Sequence, residues 1–465
     1  MSMPSLHIEL KRGIKVSLAR QVYEKIRDDI LLAVLLPGTR LPATRGLAAE
    51  LGVSRNVILD AYDQLHAEGY IESRAGSYTR VCDDTHYTRY KLQPDKGIKP
   101  DTPVRKADIS FQTGVPDLSC FPRVRWGTCL KRAVAEAALD DLAYYRPEGH
   151  EGFRQVLADY LYRARGIQVP ADNIVVTSGA TQALFLAARV LHVPGCEAVI
   201  EDPCGYGVME ILRTAGYGFN PVANTLGGPD VSRIKLNRRT RMVYVTPSHQ
   251  FPMGHIMPAA VRIALLNRLC NRDIYIVEDD YDSEFRYDGS PIHPLKALDL
   301  QKVIYIGSFS KVLSPALRIG YAVVPDALLP AFKRLKRFSD AQSPVIEQVA
   351  LQQFIRDGGY ERHIFRMKKI YRKKRDALVE AISTTFGNDV VIQGENAGLH
   401  LVACFRDMSF DMDEKGHVWR NRVRVPSVEK HAVARGRHRD KLVFGYGDLS
   451  EAQIRQGIRQ FKGAV

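Results

Sequence analysis

Three short segments carry side chains suited to covalent chemistry on a small molecule. Gly307-Ser308-Phe309-Ser310-Lys311, with Arg318 seven residues on, places a lysine beside two serines at the end of an apolar run. Partial desolvation there lowers the amine's pKa and frees it to form a Schiff base with an aldehyde. Taken alone, Ser-x-Ser-Lys reads better as a surface loop. Glu278-Asp279-Asp280-Tyr281 closes another apolar run with clustered carboxylates. No histidine or further acid stands at ligand spacing, so no metal is expected, and Asp282 and Glu284 are expected to face solvent. Thr177-Ser178-Gly179-Ala180-Thr181-Gln182 offers small residues at a helix start, where bare backbone N–H groups attract phosphate. By itself that signal is weak, because Ser-Gly-Ala is a common helix start.

These segments need a frame that brings them together. Short, very apolar runs at 174–177, 198–200, 242–245, 274–277 and 303–306 alternate with helical patterns from residue 108 onward. Strands buried on both faces and separated by helices predict an α/β fold with a mostly parallel sheet. Ligands in such folds sit at the carboxyl ends of the strands, where all three segments fall.

The first eighty residues follow a different pattern. Ser17 is a candidate N-cap for a helix with Leu18, Val22, Ile26 and Ile30 on one face. Pro37-Gly38 makes a turn, a short helix covers 45–51, and Gly52 stops it. Ser54 then caps a third helix with Val57, Ile58, Ala61, Tyr62 and Leu65 inward and Arg55, Asn56 and Asp60 outward. Helix, glycine-containing turn, helix is a helix-turn-helix, whose second helix presents its first residues to base edges. Arginine suits guanine and asparagine suits adenine. Residues 70–81 alternate like a hairpin around Ala75-Gly76, a wing from which Arg74 reaches phosphate. For the bare pattern, a trihelical packing module with solvated charges is the better reading.

Composition sets the outer limits. A chain of 465 residues, 45% hydrophobic and 25% charged, predicts two or more ordinary globular domains. No apolar run approaches the about 20 residues of a membrane span, and residues 1–12 lack the apolar core of a secretory signal. Seven cysteines without a C-x-x-C predict free thiols in a reducing compartment, the cytoplasm, and argue against zinc. The net charge of +14 favours a polyanionic partner without specifying one. A proline-stiffened linker is expected at 82–107, dividing a reader at 13–81 from a body at 108–465. Residues 356–380 carry nine basic and four acidic side chains. They read as a solvated helix face, with a second DNA-tracking surface around Lys373, Lys374 and Arg375 as the alternative.

From Leu35 to Tyr62 the sequence resembles the GntR-type winged-helix family nearly throughout. That resemblance implies DNA contacts from Arg45, Ser54, Arg55, Asn56 and Gly76, beside the Arg74 of the wing. Tyr78 stands where the family's wing has the second glycine of Gly-Ser-Gly-Thr. The three chemical segments together resemble the fold-type I aminotransferases. Adding Ile200-Glu201-Asp202-Pro203, the loop from Thr246 to Gly254 and Ala397-Gly398-Leu399-His400-Leu401, essentially the whole chain resembles the MocR/GabR-type regulators. The implied fold is an N-terminal winged helix-turn-helix followed by a fold-type I aminotransferase-like domain, with a smaller C-terminal α+β subdomain.

The implied cofactor is pyridoxal 5'-phosphate. Lys311 would form its Schiff base, Asp279 would hold the ring nitrogen protonated, and Tyr281 would bond the 3-oxygen. Ala180, Thr181, Ser308, Ser310 and Arg318 would hold the phosphate, and His249 would lie beside the ring or its 3-oxygen. Tyr144 would reach the phosphate of a neighbouring subunit's cofactor, making a homodimer necessary. Arg439, or Arg437 beside it, would grip an effector carboxylate by bidentate pairing. Where the family reads Glu-Asp-Pro-Gly-Tyr with the tyrosine stacked on the ring, this chain reads Glu201-Asp202-Pro203-Cys204-Gly205-Tyr206. Either Tyr206 stacks through an altered turn, or the ring face is bare for a larger effector. The implied partners are operator double-stranded DNA and an amine or amino-acid effector, with no membrane. A working aminotransferase carrying a DNA module, or a sensor of vitamin B6 level alone, remain the alternatives.

Overall fold

The computed structural model describes residues 6–73, 78–83, 108–225, 227–288 and 292–463. Arg74, Gly76 and the expected linker from residue 84 to 107 lie outside them. The chain divides into two compact units, Met1–Arg105 and Lys106–Val465.

The first unit contains α1 (Leu18–Leu31), α2 (Thr44–Leu51), α3 (Arg55–Ala67) and the antiparallel pair β1 (Ile71–Ser73) and β2 (Thr79–Val81). Ser17 Oγ accepts the Arg20 N–H at 3.3 Å, the expected cap. Gly52 ends α2 at φ 62°, ψ 39°, a left-handed turn that a β-carbon disfavours. Val22, Ile26, Leu47, Ile58 and Leu65 are fully buried in one core, and Leu6 packs there too, ahead of the expected start at residue 13. Ser54 occupies the cap position of α3, but its hydroxyl makes no capping bond. Tyr78, in place of the wing glycine, stacks under the Arg40 guanidinium, 3.5 Å from the ring centroid.

The second unit begins with β3 (Ile109–Ser110), α4 (Arg123–Glu136) and α5 (Glu151–Arg165). There follow β4 (Ile174–Thr177), α6 (Ala180–Leu191), β5 (Glu197–Asp202), α7 (Tyr206–Thr214), β6 (Gly218–Thr225) and β7 (Gly228–Pro229). Next come β8 (Thr240–Val245), α8 (Ala259–Leu269), β9 (Tyr275–Asp280), α9 (Leu295–Leu298), β10 (Val303–Ser308) and β11 (Gly320–Val323). These strands form one sheet in the order β4-β11-β10-β9-β8-β5-β6-β7. The run from β10 to β6 is parallel, whereas β11 is antiparallel to both neighbours.

That reversed strand positions the site. Gly320 pairs with Thr177 on one side and Ser308 on the other, so the ends of β4 and β10 meet the start of β11 in one row. Ile306 pairs with Asp279, which sets β9 beside the same row. Strands β6 and β11 escaped the sequence reading. The first contains Asn220 and Pro221, poor strand residues tolerated near a sheet edge, and the second is only four residues long.

The remaining elements are α10 (Leu329–Asp340), α11 (Val345–Arg356), α12 (Gly359–Phe386), β12 (Val390–Gln393), β13 (His400–Phe405), β14 (His417–Arg420), β15 (Val423–Pro426), β16 (Lys441–Gly445) and α13 (Glu451–Lys462). Helix α10 packs on α6 against the large sheet and α11 on α4 and α5, while the elements from α12 onward build the smaller α+β subdomain, with sheets β12-β13-β16 and β14-β15-β3. The basic run falls largely on α12, and two of its three named cations are not free. Lys374 is buried, donating to Asp117 Oδ2 at 2.7 Å and the Gly447 carbonyl at 2.8 Å. Arg375 pairs with Asp288 and Asp376. A cation desolvated and paired in this way has little charge left for DNA phosphate, so of these three only Lys373 stays exposed, alongside Arg362, Arg366, Lys369 and Arg372 of the same run. None of the seven cysteines is in a disulfide. Among the described residues, no helix is long and apolar enough to cross a membrane.

Candidate cofactor and effector site

A cavity of about 320 Å³ opens at the carboxyl ends of the parallel strands. Lys311, Asp279 and Tyr281 line it together with Ala180 and Thr181 from the first turn of α6. The opening turn of a helix has amides without intrahelical acceptors, and Gly179 leads into it at φ 90°. Arg318, left-handed at φ 49°, donates from Nη2 to the Ser178 carbonyl at 2.5 Å, at that same turn. Ser308 Oγ donates to Ser310 Oγ at 3.0 Å and accepts the Ser310 N–H at 3.1 Å. The loop and helix start expected to cradle a phosphate therefore converge, by way of β11.

Lys311 Nζ donates to the Gly114 carbonyl at 2.7 Å. A β-carbon on Gly114 would lie 2.8 Å from that Nζ, so only glycine lets the amine sit there. Burial lowers the Lys311 ammonium below its ordinary range, against the pull of Asp282 and Asp279. Asp279 accepts the Tyr244 hydroxyl at 2.8 Å on Oδ2, and burial pushes its carboxyl up to about 6. Its Oδ1 is buried with no partner among the described residues. An orphaned carboxylate oxygen beside a desolvated amine fits a ligand bearing a protonated ring nitrogen and an aldehyde, so the residues suit pyridoxal phosphate.

Tyr281 OH donates to the His249 carbonyl at 2.8 Å and lies 3.2 Å from His249 Nδ1. His249 itself is buried behind Tyr281 and is not among the lining residues; its Nδ1 bonds Asp282 at 3.0 Å. Asp282 is therefore buried, not solvated as expected, and Glu284 is likewise turned inward to Arg165 at 3.1 Å. Buried cationic or imidazole partners outweigh hydration for both acids. His249, Asp282 and His400 place ligand-type atoms within 4.8 Å of one another, a convergence that chain spacing does not reveal. His400 Nε2 meanwhile donates to the Pro252 carbonyl at 3.0 Å.

Gly205 and Tyr206 both line the cavity, Tyr206 as the first residue of α7. Phe251, His400, His431 and Tyr244 line it too and were not singled out from the sequence. His400 stood in a quoted motif, but nothing in Gly-Leu-His-Leu announces chemistry. Arg437 and Arg439 are exposed in the loop before β16 and do not line the cavity. Tyr144 is 92% exposed. In the first unit, Arg45, Ser54, Arg55 and Asn56 are all exposed around the start of α3 and the start of α2, as a groove-reading surface requires.

Beneath the Thr246–Gln250 loop lies Glu201, buried at the end of β5, accepting the Thr246 N–H at 3.2 Å and its hydroxyl at 3.1 Å. Burial pushes its carboxyl from 4.5 up to about 7. The folded chain then holds a proton that the unfolded chain has released, so this group's contribution to stability falls as pH rises from 4.5 through about 7. Glu201→Gln is expected to gain on the parent across that window, by roughly 3 kcal/mol at most. Denaturant melts at the two ends of the window check this, and a pH-independent difference would contradict it.

A winged helix-turn-helix joined to a fold-type I aminotransferase body defines a class of DNA-binding regulator. Residues 18–81 match the gntR family of bacterial regulatory proteins, and residues 109–437 match aminotransferase class I and II. The chain belongs to the MocR-type regulators, the gntR-family branch with an aminotransferase class I and II body. It is 32% identical to the probable rhizopine catabolism regulatory protein MocR of Rhizobium meliloti, over 98% of this chain and 95% of that protein. It is 30% identical to the pyridoxine biosynthesis transcriptional regulator PdxR of Corynebacterium glutamicum, over 100% of this chain and 99% of the relative. Among solved structures, the multiple substrate aminotransferase of Thermococcus profundus is similar at TM-score 0.69 and 25% identity, over 76% of this chain and 89% of that one.

Proposed function

We propose that this chain is a transcriptional regulator that binds pyridoxal phosphate at Lys311 and answers an amine or amino-acid effector by changing its grip on operator DNA. The observation that carries the reading is the pairing of the desolvated Lys311 with the orphaned Asp279 Oδ1, on a chain whose other unit exposes Arg55 and Asn56. When bound, the cofactor supplies an aldehyde for amines and an electron-withdrawing ring. Asp279, braced by Tyr244, keeps a negative oxygen for the ring nitrogen, and Tyr281 offers its phenol to the 3-oxygen. The α6 amides of Ala180 and Thr181, the hydroxyls of Ser308 and Ser310, and Arg318 take the phosphate. Lys311 can accept or return a proton because its amine is held below its ordinary pKa.

Tyr144 is proposed to serve the partner's site in a homodimer. Its 92% exposure, beside Leu139 at 86%, supports that role, because such an apolar edge is better covered than solvated. His249 is proposed to steer Tyr281 through its backbone carbonyl and ring. Tyr206 is proposed as the aromatic wall over the ring, next to the position that Gly205 leaves bare, where Phe251 lies 3.4 Å from a would-be β-carbon. Arg74 and Gly76 keep their proposed wing contacts as assignments from the family, whereas Arg439, exposed and outside the cavity lining, is not carried forward as the effector contact.

The intact Lys311 and Asp279 also favour a second reading, an active aminotransferase. The cofactor-loaded chain, mixed with excess amino acid and excess keto acid, separates the two. The regulator reading expects no more than about one keto acid per subunit. Continued accumulation of keto acid would make the chain an enzyme.

A further inference from the structure

The wall of the cavity changes sign along its length. Asp279 and Asp282 attend Lys311. At Tyr206 and His431 the neighbouring charges are positive. The Lys430 ammonium lies 4.0 Å from the centroid of the Tyr206 ring. Its stem is pinned against Gly416, where a β-carbon would come within 2.5 Å of the Lys430 side-chain carbons. Among the described residues no carboxylate pairs with Lys430; its one hydrogen bond is a long one, 3.4 Å, to the Glu414 carbonyl.

His431 is set as a donor. Its Nδ1 accepts the Tyr206 N–H at 3.0 Å, so the neutral ring carries its proton on Nε2. That nitrogen has no partner among the described residues, and the ring forms part of the cavity wall. Burial, then Lys430, Arg435 and His417, hold the imidazole down to about 3, with no acid acting the other way. An ammonium stacked on the Tyr206 ring and an N–H at the His431 wall, with carboxylates at the Lys311 end, complement a zwitterion. Gly205 adds no side chain there, and Phe251 packs edge-on to His431 with ring centroids 5.0 Å apart, 3.4 Å from where a Gly205 β-carbon would be.

We propose that Lys430 and His431 Nε2–H form the seat for the acidic end of the effector, an amino acid whose carboxylate rests there while its amine faces Lys311. This rests on the amine-sensing reading above. The Tyr206 ring holds the ammonium in place before the ligand arrives, which spares ordering entropy on binding. Lys430 thus fills the role that a bidentate arginine would fill, as a point charge paired with a neutral donor.

The test titrates the cofactor-loaded full chain with glycine, L-alanine, β-alanine and γ-aminobutyrate, and with methylamine, ethylamine and propylamine, by visible absorbance and by calorimetry. At least one amino acid is expected to act at a concentration about tenfold or more below that of the amine lacking its carboxylate. Lys430→Met should collapse that ratio to about threefold or less, and Lys430→Arg should keep it. A preference that survives Lys430→Met overturns the proposal. So does a parent chain that answers amines and amino acids alike, although amine sensing itself then stands. If none of these compounds changes either signal, amine sensing fails and the seat fails with it.

Discussion

Replacing Lys311 with alanine is expected to abolish the visible absorbance of the chain reconstituted with pyridoxal phosphate and to weaken retention of the cofactor on the order of 100-fold or more. The phosphate contacts proposed for Ala180, Thr181 and Arg318 would survive the substitution, so some binding should persist, but the covalent hold would not. The fold should tolerate the change. Lys311 donates one hydrogen bond, to the Gly114 carbonyl, which faces the cavity and can be hydrated instead. Lys311→Arg serves as the control, since it keeps the charge and the donor but offers no amine of usable pKa. Equilibrium dialysis with absorbance reads both quantities. An alanine variant that keeps the band and its cofactor would show that the chemistry lies elsewhere.

Arg55→Ala carries the second large effect. The residue begins α3 exposed, and among the described residues only a 3.5 Å contact to Thr44 Oγ1 holds its guanidinium. A side chain so placed is free to bond a guanine edge, a contact worth roughly 1–3 kcal/mol, or about 10- to 100-fold in affinity. The loss should be confined to one base pair of a duplex selected from a random pool, where the preference for guanine relaxes. Arg80 supplies the contrast, because Glu72 and Asp83 already hold it. Arg80→Gln should change affinity by less than about threefold. Gel-shift titrations of both variants against the selected duplex decide this, and equal losses would remove Arg55 from the reading surface.

Much of this was legible from side-chain pattern. The buried strands at 174–177, 242–245 and 303–306, the N-cap at Ser17 and the turn at Gly52 follow from local chemistry, and local chemistry prevails in them. What the pattern hid was set by tertiary contact. The antiparallel β11 is too short to announce itself, yet it aligns Thr177 with Ser308. Asp282 looks like a solvated acid until the loop bearing His249 folds over it. Lys374 and Arg375 look like a charged stripe until Asp117, the Gly447 carbonyl and Asp288 take them up. His431 and Lys430 have no neighbouring motif, and contacts with Tyr206 and Phe251, far away in sequence, tie them to the cavity. In each case a partner distant in sequence, with no periodic signature, decided the outcome.

The central claim is that the cofactor cavity and the DNA reader share one free-energy balance. If an effector at Lys311 alters DNA affinity, DNA must alter effector affinity by the same factor. The direct measurement is calorimetric titration of the cofactor-loaded chain with the amine or amino acid that shifts its absorbance, in the presence and absence of the selected duplex. The account predicts that the two dissociation constants differ by about fivefold or more, matched by an equal change in duplex affinity when the effector is saturating. Dissociation constants that agree in both directions would contradict it, leaving a DNA-binding unit and a pyridoxal-phosphate site that share a chain without speaking to each other.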